Sequence, residues 1–428
     1  MTDRRTFRVE EVYGVGRDIP QNYVERASVD EPFVNNLSRD KHVVVFGSSK
    51  QGKTSLRKHA LPDGDCITVC CLNTMSLPDL NSAVLKAAGY ELTQSTKISV
   101  SGASKVVAGF KGEGKVPFFV SAGGEASVEK ENGETKEVDL APLELEIGDV
   151  NDIITALESI EFKKFIVLED FHYLPVETQR NFCFALKTFH ERSKISFIII
   201  GVWRDKGRLE YYNGDLTGRV LSIDADAWSR DELLQVIRKG GDLLNIEFPP
   251  DFADELVNHS HDSVHIVQEA CLRACQQCSI KETQSEKRVV DIDVPCIGLI
   301  EQIVAGQAGR YRAFLTSFAE GFQKTELAMY RWLIEAVLRT DVSGLEKGVR
   351  RSDVSAKIKE LHPQGSQLNE GNITQALQNA ASLQIQKLVR PIVIDYDETT
   401  RVLHVVDKSF LIWLSHQNVD KIVEECLP

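Results

Sequence analysis

The sequence lacks a long apolar run, which excludes a helix that spans a membrane. Its most apolar short stretch, Ile195 to Trp203, is far shorter than the roughly 20 residues that a bilayer requires, and it fits a buried strand. Met1 to Glu11 is polar and charged, so nothing there indicates a signal peptide. We therefore expect a cytoplasmic protein without a membrane partner.

Basic residues are outnumbered by acidic ones. The 428 residues include 50 Lys and Arg against 63 Asp and Glu, a net charge of −13. No global positive field would therefore draw the protein to nucleic acid or to anionic lipid, although a local basic face remains open. The length suffices for two or three domains with a substantial core.

The cysteines do not form a disulfide or metal pattern. There are nine, an odd number, and no secretion signal accompanies them, so we expect free thiols in a reducing compartment. Cys271, Cys275 and Cys278 share one face of a helix. A zinc site would need a second ligand pair, and the histidines between 259 and 265 lack a zinc spacing. A packed core face is the favoured interpretation.

The sequence does contain one complete motif, Gly47-Ser48-Ser49-Lys50-Gln51-Gly52-Lys53-Thr54, of the form G-x-x-x-x-G-K-[ST]. It follows the apolar run His42 to Phe46 and precedes Ser55 to Lys58, which has the character of a helix start. Strand, glycine loop and helix are the context that a phosphate loop requires. The sequence therefore predicts a site for a nucleoside triphosphate with magnesium.

The residue types of this loop match that chemistry. Gly47 and Gly52 allow a tight turn, so that successive backbone N–H groups from residues 47 to 55 point at one anion. The positive end of the following helix adds to the same point. We expect Lys53 to neutralise the β- and γ-phosphates and Thr54 to offer its hydroxyl to Mg²⁺.

A second motif supplies carboxylates. Phe165 to Leu168 is a buried strand type, and it ends in Glu169 and Asp170. By position, Glu169 is expected to support Mg²⁺ directly or through water, and Asp170 to orient or deprotonate the attacking water. We expect ATP rather than GTP, because no Asn-Lys-x-Asp guanine-reading motif follows.

The alternation of apolar strands with helices predicts a parallel sheet that is covered on both faces. The expected fold is α/β, a P-loop NTPase core with a helical lid, followed by a C-terminal winged-helix (α+β) domain. The predicted segments are an N-terminal arm (1–40), the core (41–225), the lid (226–281), a linker with a connecting helix (282–323) and the winged helix (324–428). Residues 91–142 read as an insertion, either merely tolerated or contacting a substrate or partner.

The phosphate loop and the acid strand resemble those of AAA+ and signal-transduction-type (STAND) ATPases, near the origin-recognition and archaeal-type branch, over roughly residues 20 to 415. The usual acid order in that family is Asp then Glu, so the reversed pair implies slow hydrolysis. The resemblance implies that Arg219 is an arginine finger reaching a neighbouring subunit, with a structural ion pair as the alternative. It also implies that Arg204 replaces a missing polar sensor or lies at the surface. His265 stands where the lid often carries a second sensor arginine, so that function is weak or absent.

The predicted winged helix leaves its role open. Asn372 to Gln386, in the recognition-helix position, contains amides but no basic residue, which gives little electrostatic affinity for DNA. A basic patch precedes it, formed by Lys347, Arg350, Arg351, Lys357 and Lys359. DNA binding and use of the domain for autoinhibition or protein docking are both retained.

Three functions follow. The leading one is a regulatory ATPase that controls assembly as a homo-oligomer or acts on a separately encoded effector, with a prokaryotic defence system as one setting. The second is a DNA-binding ATPase that loads or remodels a nucleoprotein complex. The third is a nucleotide-binding scaffold that hardly hydrolyses.

Overall fold

The computed structural model describes residues 5–98, 104–113, 137–139, 142–226, 228–292 and 294–427. The arm holds two short helices, α1 (Val9–Val12) and α2 (Asp30–Leu37). Tyr13, directly after α1, is fully buried, and its hydroxyl donates to the carbonyl of Ile237 at 2.6 Å. The predicted arm is therefore packed onto the segment predicted as the lid.

The core begins with alternating strands and helices. In chain order these are β1 (His42–Phe46), α3 (Lys53–Ala60), β2 (Cys66–Cys70) and α4 (Leu77–Ala87). Ser76 caps α4 in a capping box with Asp79, which satisfies backbone donors at the start of the helix.

A small antiparallel sheet follows where the insertion was predicted. It contains β3 (Tyr90–Ile98), β4 (Ser104–Glu113), β5 (Glu137–Asp139) and β6 (Leu143–Leu145). Tyr90 pairs with Phe110 across β3 and β4, and the Tyr90 hydroxyl donates to the carbonyl of Ala156 at 2.6 Å. The sheet is thereby tied to the core. Within the predicted insertion, the sequence of Val116 to Ser121 is also of β type, and it lies outside the described residues.

The core then resumes with α5 (Val150–Ser159), β7 (Phe165–Glu169), α6 (Val176–Arg192), β8 (Phe197–Ile200), α7 (Arg208–Tyr212) and β9 (Val220–Asp224). The core strands form a five-stranded sheet in the order β2-β7-β8-β1-β9, and every pair is parallel. The predicted parallel sheet is confirmed. Because parallel strands end at the same edge, β1 delivers the phosphate loop and β7 delivers the acid pair to one side of the sheet.

The lid comprises α8 (Arg230–Leu244), β10 (Ile246–Glu247), α9 (Pro250–His259), α10 (Val264–Gln277) and β11 (Arg288–Val289). The prediction of a lid without strands was wrong, because β10 lies within it and pairs in parallel with β11, which lies in the predicted linker. The predicted linker, Glu282 to Asp293, is also held by backbone hydrogen bonds to the rest of the structure. The backbone N–H of Thr283 donates to Phe7 and that of Gln284 donates to Leu244, so the segment fastens the arm to the lid. Cys271 and Cys275 are fully buried in this core, as the packing interpretation predicts.

The C-terminal part begins with α11 (Cys296–Ala305) and α12 (Ala308–Glu320). It continues through α13 (Met329–Leu338), α14 (Val342–Lys347), β12 (Val349–Arg350), α15 (Arg351–Leu361), α16 (Glu370–Gln378), α17 (Ala380–Gln386), β13 (Ile394–Asp397), β14 (Val402–Val405), α18 (Lys408–Ser415) and α19 (Val419–Cys426). Its antiparallel sheet has the order β12-β14-β13. We call residues 324–427 the C-terminal unit.

Two details of this unit differ from the sequence prediction. The single helix Asn372 to Gln386 is two helices, α16 and α17, which meet at Asn379, a residue type with low helix propensity. Gln384, expected among amides available to bases, is completely buried. Its side chain donates to Ile394 and accepts from Val393, so it joins α17 to the sheet.

Across the described ranges, no helix combines the length and apolar character that a bilayer crossing requires.

The packing of the arm on the lid yields a test. Gly240 lies in α8, and a Cβ there would lie 2.3 Å from the ring of Tyr13. Gly240→Ala should therefore lower the free energy of unfolding by about 1–3 kcal/mol, although Gly→Ala in a helix normally stabilises by up to about 1 kcal/mol. Urea unfolding measures the change.

Gly309 in α12 is the matched control, since a Cβ there meets no atom within 4 Å. Gly309→Ala should leave stability unchanged or raise it. Equal effects of the two substitutions would contradict the close packing of Tyr13 on α8.

A candidate nucleotide site at the phosphate loop

The loop between β1 and α3 has the backbone of an anion cradle. Gly47 and Gly52 adopt φ values of 143° and 83°, and Lys50 adopts 61°. A Cβ on Gly47 would lie 3.1 Å from Asp226, so the position has both a conformational and a spatial reason to be glycine. α3 then begins at Lys53, and its N-terminal end faces the loop.

Lys53 reaches back across this loop. Its ammonium donates to the carbonyls of Gly47 at 3.0 Å and Ser48 at 2.6 Å, and the residue is buried. Burial lowers the pKa of Lys53 to about 8, against the opposing pull of Asp226, Asp170 and Glu169. A cation is therefore held by the carbonyls of the phosphate loop itself.

The acid pair lies beside the loop, as the sequence predicts. The hydroxyl of Thr54 donates to Glu169 Oε2 at 3.4 Å, and Arg57 Nε lies 3.6 Å from Glu169 Oε1. Burial raises the pKa of Glu169, and the nearby Arg57 opposes that shift. Thr54 and Glu169, the predicted magnesium pair, are thus brought together by α3 and β7.

Asp170 follows at the edge of the sheet with φ 59°, outside the strand. Its side chain reaches the surface. The surrounding protein nevertheless desolvates the carboxyl and raises its pKa, while Lys53 and Arg390 act in the opposite direction. A carboxylate that reaches the surface beside the phosphate loop is suited to the role predicted for it, the orientation of a water.

Asp226 is a site residue that the sequence reasoning missed. Its carboxylate accepts from the Ser48 N–H at 2.8 Å and from the Ser48 hydroxyl at 2.7 Å. Arg204 Nη1 lies 3.1 Å from the same carboxylate. Arg204, predicted either as a sensor or as a surface residue, therefore acts on the loop through Asp226. The sequence feature that could have identified Asp226 is its position just beyond β9, because β9 is the neighbour of β1 in the sheet.

A cavity of about 290 Å³ opens beside the loop. The arm contributes Asn22 and Tyr23 to its lining, and the lid contributes Val264, His265 and Gln268. Asn22 and Gln268 exchange side-chain hydrogen bonds at 3.0 and 2.9 Å, which joins arm and lid at the cavity wall. Arm and lid thus form the wall of the cavity beside the phosphate loop.

Trp228 and Arg26 brace the wall of that cavity. The guanidinium of Arg26 lies 4.0 Å from the centroid of the Trp228 ring and donates to the carbonyl of Ala225. The Trp228 ring N–H points to the carbonyl of Gln51 in the loop at 3.4 Å. The loop is therefore buttressed by the arm and by the segment after β9.

Arg219, the predicted arginine finger, lies elsewhere. It directly precedes β9, at the end of the sheet opposite the phosphate loop. Its guanidinium pairs with Glu191 at 2.8 Å and donates to the carbonyl of Asp215. Within one chain it takes no part in the site, and its role toward a neighbouring subunit stays a prediction.

The C-terminal unit also contacts the loop. The Ser49 N–H donates to the carbonyl of Val406 at 2.8 Å. Arg208, the first residue of α7 in the core, forms a buried ion pair with Asp395 of the C-terminal unit. An apolar cluster completes the interface, and it contains Tyr173, Val202, Ile385, Ile392 and Val406.

The buried ammonium of Lys53 sets a pH dependence. With a pKa of about 8, it is charged below pH 8 and loses its proton above. ATP affinity should therefore be level near pH 7 and weaken by about tenfold by pH 9, since each pH unit above the pKa removes about nine-tenths of the remaining cation. Isothermal titration calorimetry across this range measures it.

Lys53→Ala provides the reference, because it has no ammonium to lose. Its weak residual affinity for ATP should not change with pH near pH 8. The same slope in both proteins would mean that another group titrates.

The clamp on Ser48 yields a second test. Asp226→Ala removes both hydrogen bonds to Ser48, and a hydrogen bond to a charged group contributes about 1.5–3 kcal/mol. We expect ATP to bind about tenfold or more weakly, because the loop loses its fixed conformation. Asp231→Ala, at an exposed position early in α8, should leave affinity unchanged. Unaltered binding by Asp226→Ala would rule out the clamp.

Comparisons with known proteins support the fold. No protein-family model matches the sequence, and no curated protein matches it. Among solved structures, the chain is similar to the Walker-type ATPase PABY2304 of Pyrococcus abyssi, with TM-score 0.51, 11% identity, and coverage of 94% of this chain and 99% of that one. A second similar structure is the Orc1 protein of Aeropyrum pernix in complex with DNA, with TM-score 0.46, 10% identity, and coverage of 99% and 98%. At these identities the first likeness shows the fold alone, which is that of a Walker-type P-loop ATPase.

Proposed function

We propose that this chain is an ATP-binding, slowly hydrolysing regulatory switch, in which the nucleotide state controls how the C-terminal unit is held. The observation that carries the proposal is the hydrogen bond from Ser49 to Val406, at 2.8 Å. It joins the phosphate loop directly to the residue before the N-cap of α18. A change in the conformation of the loop would therefore alter a contact of the C-terminal unit.

The residues present fit ATP and magnesium. Lys53 supplies a buried cation in the phosphate loop, and Thr54 with Glu169 supplies two oxygen ligands of the kind that Mg²⁺ prefers. When bound, the metal would neutralise charge on the β- and γ-phosphates. Asp170 would hold the attacking water, and its reversed order relative to Glu169 is the reason for slow turnover.

The C-terminal unit also influences the acid pair. Arg390 donates to Asn73 at 3.1 Å and lies over the ring of Tyr173 at 4.5 Å. Its charge favours the ionised form of Asp170. Because a magnesium–triphosphate group would rearrange the charges around Asp170, we propose that ATP weakens the hold on Arg390 and loosens the unit.

The interface favours docking over DNA reading by the C-terminal unit, which we interpret as a winged helix. Gln375 and Gln378, on the helix in the recognition position, line a cleft of about 660 Å³ against the core. Gln378 donates to Glu398. In the preceding basic patch, Arg351 pairs with Glu370 at 2.7 Å, and Lys359 pairs with the same carboxylate. The amides in the cleft and the paired cations are both less available to contact a DNA phosphate backbone.

We further propose that released chains assemble as a homo-oligomer through Arg219, or act on a separately encoded effector, for example in a prokaryotic defence system. A guanidinium suits an intersubunit role because it donates paired hydrogen bonds to phosphate oxygens. Its partner Glu191 is half-exposed, so the pair is accessible for exchange.

One experiment tests the switch. Mass in solution and ATP turnover are measured without nucleotide, with ADP and with a non-hydrolysable ATP analogue. Arg390→Ala should raise turnover or assembly by about twofold to tenfold, since a rim contact of about 0.5–1.5 kcal/mol is lost. Arg219→Ala should block assembly without changing nucleotide affinity.

The controls separate the alternatives. Lys421→Ala, an exposed cation in α19, and Arg192→Ala, which ends α6 beside Glu191, should behave as the parent. A parent that binds ATP but hydrolyses no faster than Asp170→Asn would point to the scaffold. Salt-sensitive, ATP-stimulated DNA binding lost in Arg350→Ala/Arg351→Ala would point to the DNA-binding ATPase.

A further inference from the structure

Lys50 carries a second cation of the phosphate loop, and its side chain points to the lid. Its ammonium lies 3.0 Å from Nε2 of His265. Lys50 is exposed, whereas His265 is 7% exposed, in the first turn of α10. Both residues line the cavity beside the loop. The pair therefore bridges the loop and the lid at the nucleotide site.

The partner of Lys50 is an uncharged acceptor. Burial and the neighbouring Lys50 charge lower the pKa of His265 to about 3, so the imidazole is neutral at physiological pH. Nε2 accepts from the ammonium, which places the ring proton on Nδ1, an atom that is buried without a hydrogen-bond partner. A neutral acceptor orients the ammonium and leaves its charge intact, whereas a carboxylate acceptor would neutralise that charge.

His265 stands where the lids of the ATPases that this chain resembles often carry a second sensor arginine. His265 cannot supply that charge, since it stays neutral. Lys50 can, because its ammonium reaches His265 at the start of α10, whereas that of Lys53 donates to the loop carbonyls. The loop thus presents two cations, Lys53 at its own carbonyls and Lys50 at the lid.

We propose that the Lys50 side chain distinguishes a nucleoside triphosphate from a diphosphate, as the cation that the lid lacks, and that His265 is its positioning residue. The inference rests on the proposed function and adds the specificity of the same site. Because the additional phosphate of ATP carries the extra negative charge, a cation directed by the lid should favour ATP over ADP.

The test compares the dissociation constants of ADP and a non-hydrolysable ATP analogue, each with Mg²⁺, by calorimetry. Lys50→Met should weaken binding of the ATP analogue about tenfold or more, since one charge-assisted hydrogen bond contributes about 1.5–3 kcal/mol. Binding of ADP should change by less than about threefold. Lys164→Met, an exposed lysine before β7 at the opposite end of the sheet, should change neither constant.

A compensating variant separates specificity from folding. In Lys50→Met/His265→Arg, a guanidinium from the lid replaces the lost ammonium, and the preference for the ATP analogue should return. His265→Gln retains an acceptor and should lose less preference than Lys50→Met. Lys50→Arg, which keeps the charge, should retain the preference even if its melting temperature falls.

Two results would overturn the inference: equal loss of both nucleotides in Lys50→Met, or no loss of either. Its failure is distinct from failure of the proposed function. A parent protein that binds neither nucleotide contradicts both proposals, whereas a parent that binds both, with an unchanged preference in Lys50→Met, contradicts the role of Lys50 alone.

Discussion

The site depends on holding an ammonium group where water hardly reaches it. Lys53 is 8% exposed, and an unpaired buried charge is costly. Loop carbonyls accept hydrogen bonds from it, and carboxylates at the end of β7 and in the segment after β9 offset its charge. The parallel sheet makes this possible because it brings the ends of distant strands to one edge. A phosphate group would complete the set of partners.

The same edge of the sheet is where the arm, the lid and the C-terminal unit meet. Arm and lid close the cavity through Asn22 and Gln268. The C-terminal unit reaches the loop through Val406 and the core through the buried pair of Arg208 and Asp395. Breaking a buried ion pair by removing one partner typically costs 3–5 kcal/mol. Release of the unit, as we propose it, therefore requires compensating interactions, and nucleotide binding is their proposed source.

Sequence patterns predicted the parts of this site that are local along the chain. The phosphate loop with its flanking strand and helix is one contiguous stretch, and the acid strand is another. The spacing of residues within each stretch therefore identifies it. The parallel sheet followed from apolar runs alternating with helices. The fold of a Walker-type ATPase was therefore predictable to a large extent, although the exact ends of the elements were not.

The missed features come from pairs distant in sequence. Asp226 meets Ser48 across 178 positions, and no periodicity marks such a partner. Gln384 was counted among the amides that can hydrogen-bond bases, because its burial depends on β13, which is not apparent from the local sequence. The segment Glu282 to Asp293 looked like a linker by composition, yet its backbone hydrogen bonds tie it to the arm and the lid.

The most direct measurement of the central claim is hydrogen–deuterium exchange over β14 and α18, residues 402–415, with and without a non-hydrolysable ATP analogue. The account predicts faster exchange in this segment and slower exchange in the phosphate loop when the analogue binds, with neither change in Lys53→Ala. Protection of the loop with unchanged exchange in residues 402–415 would show that nucleotide binding is not coupled to the C-terminal unit.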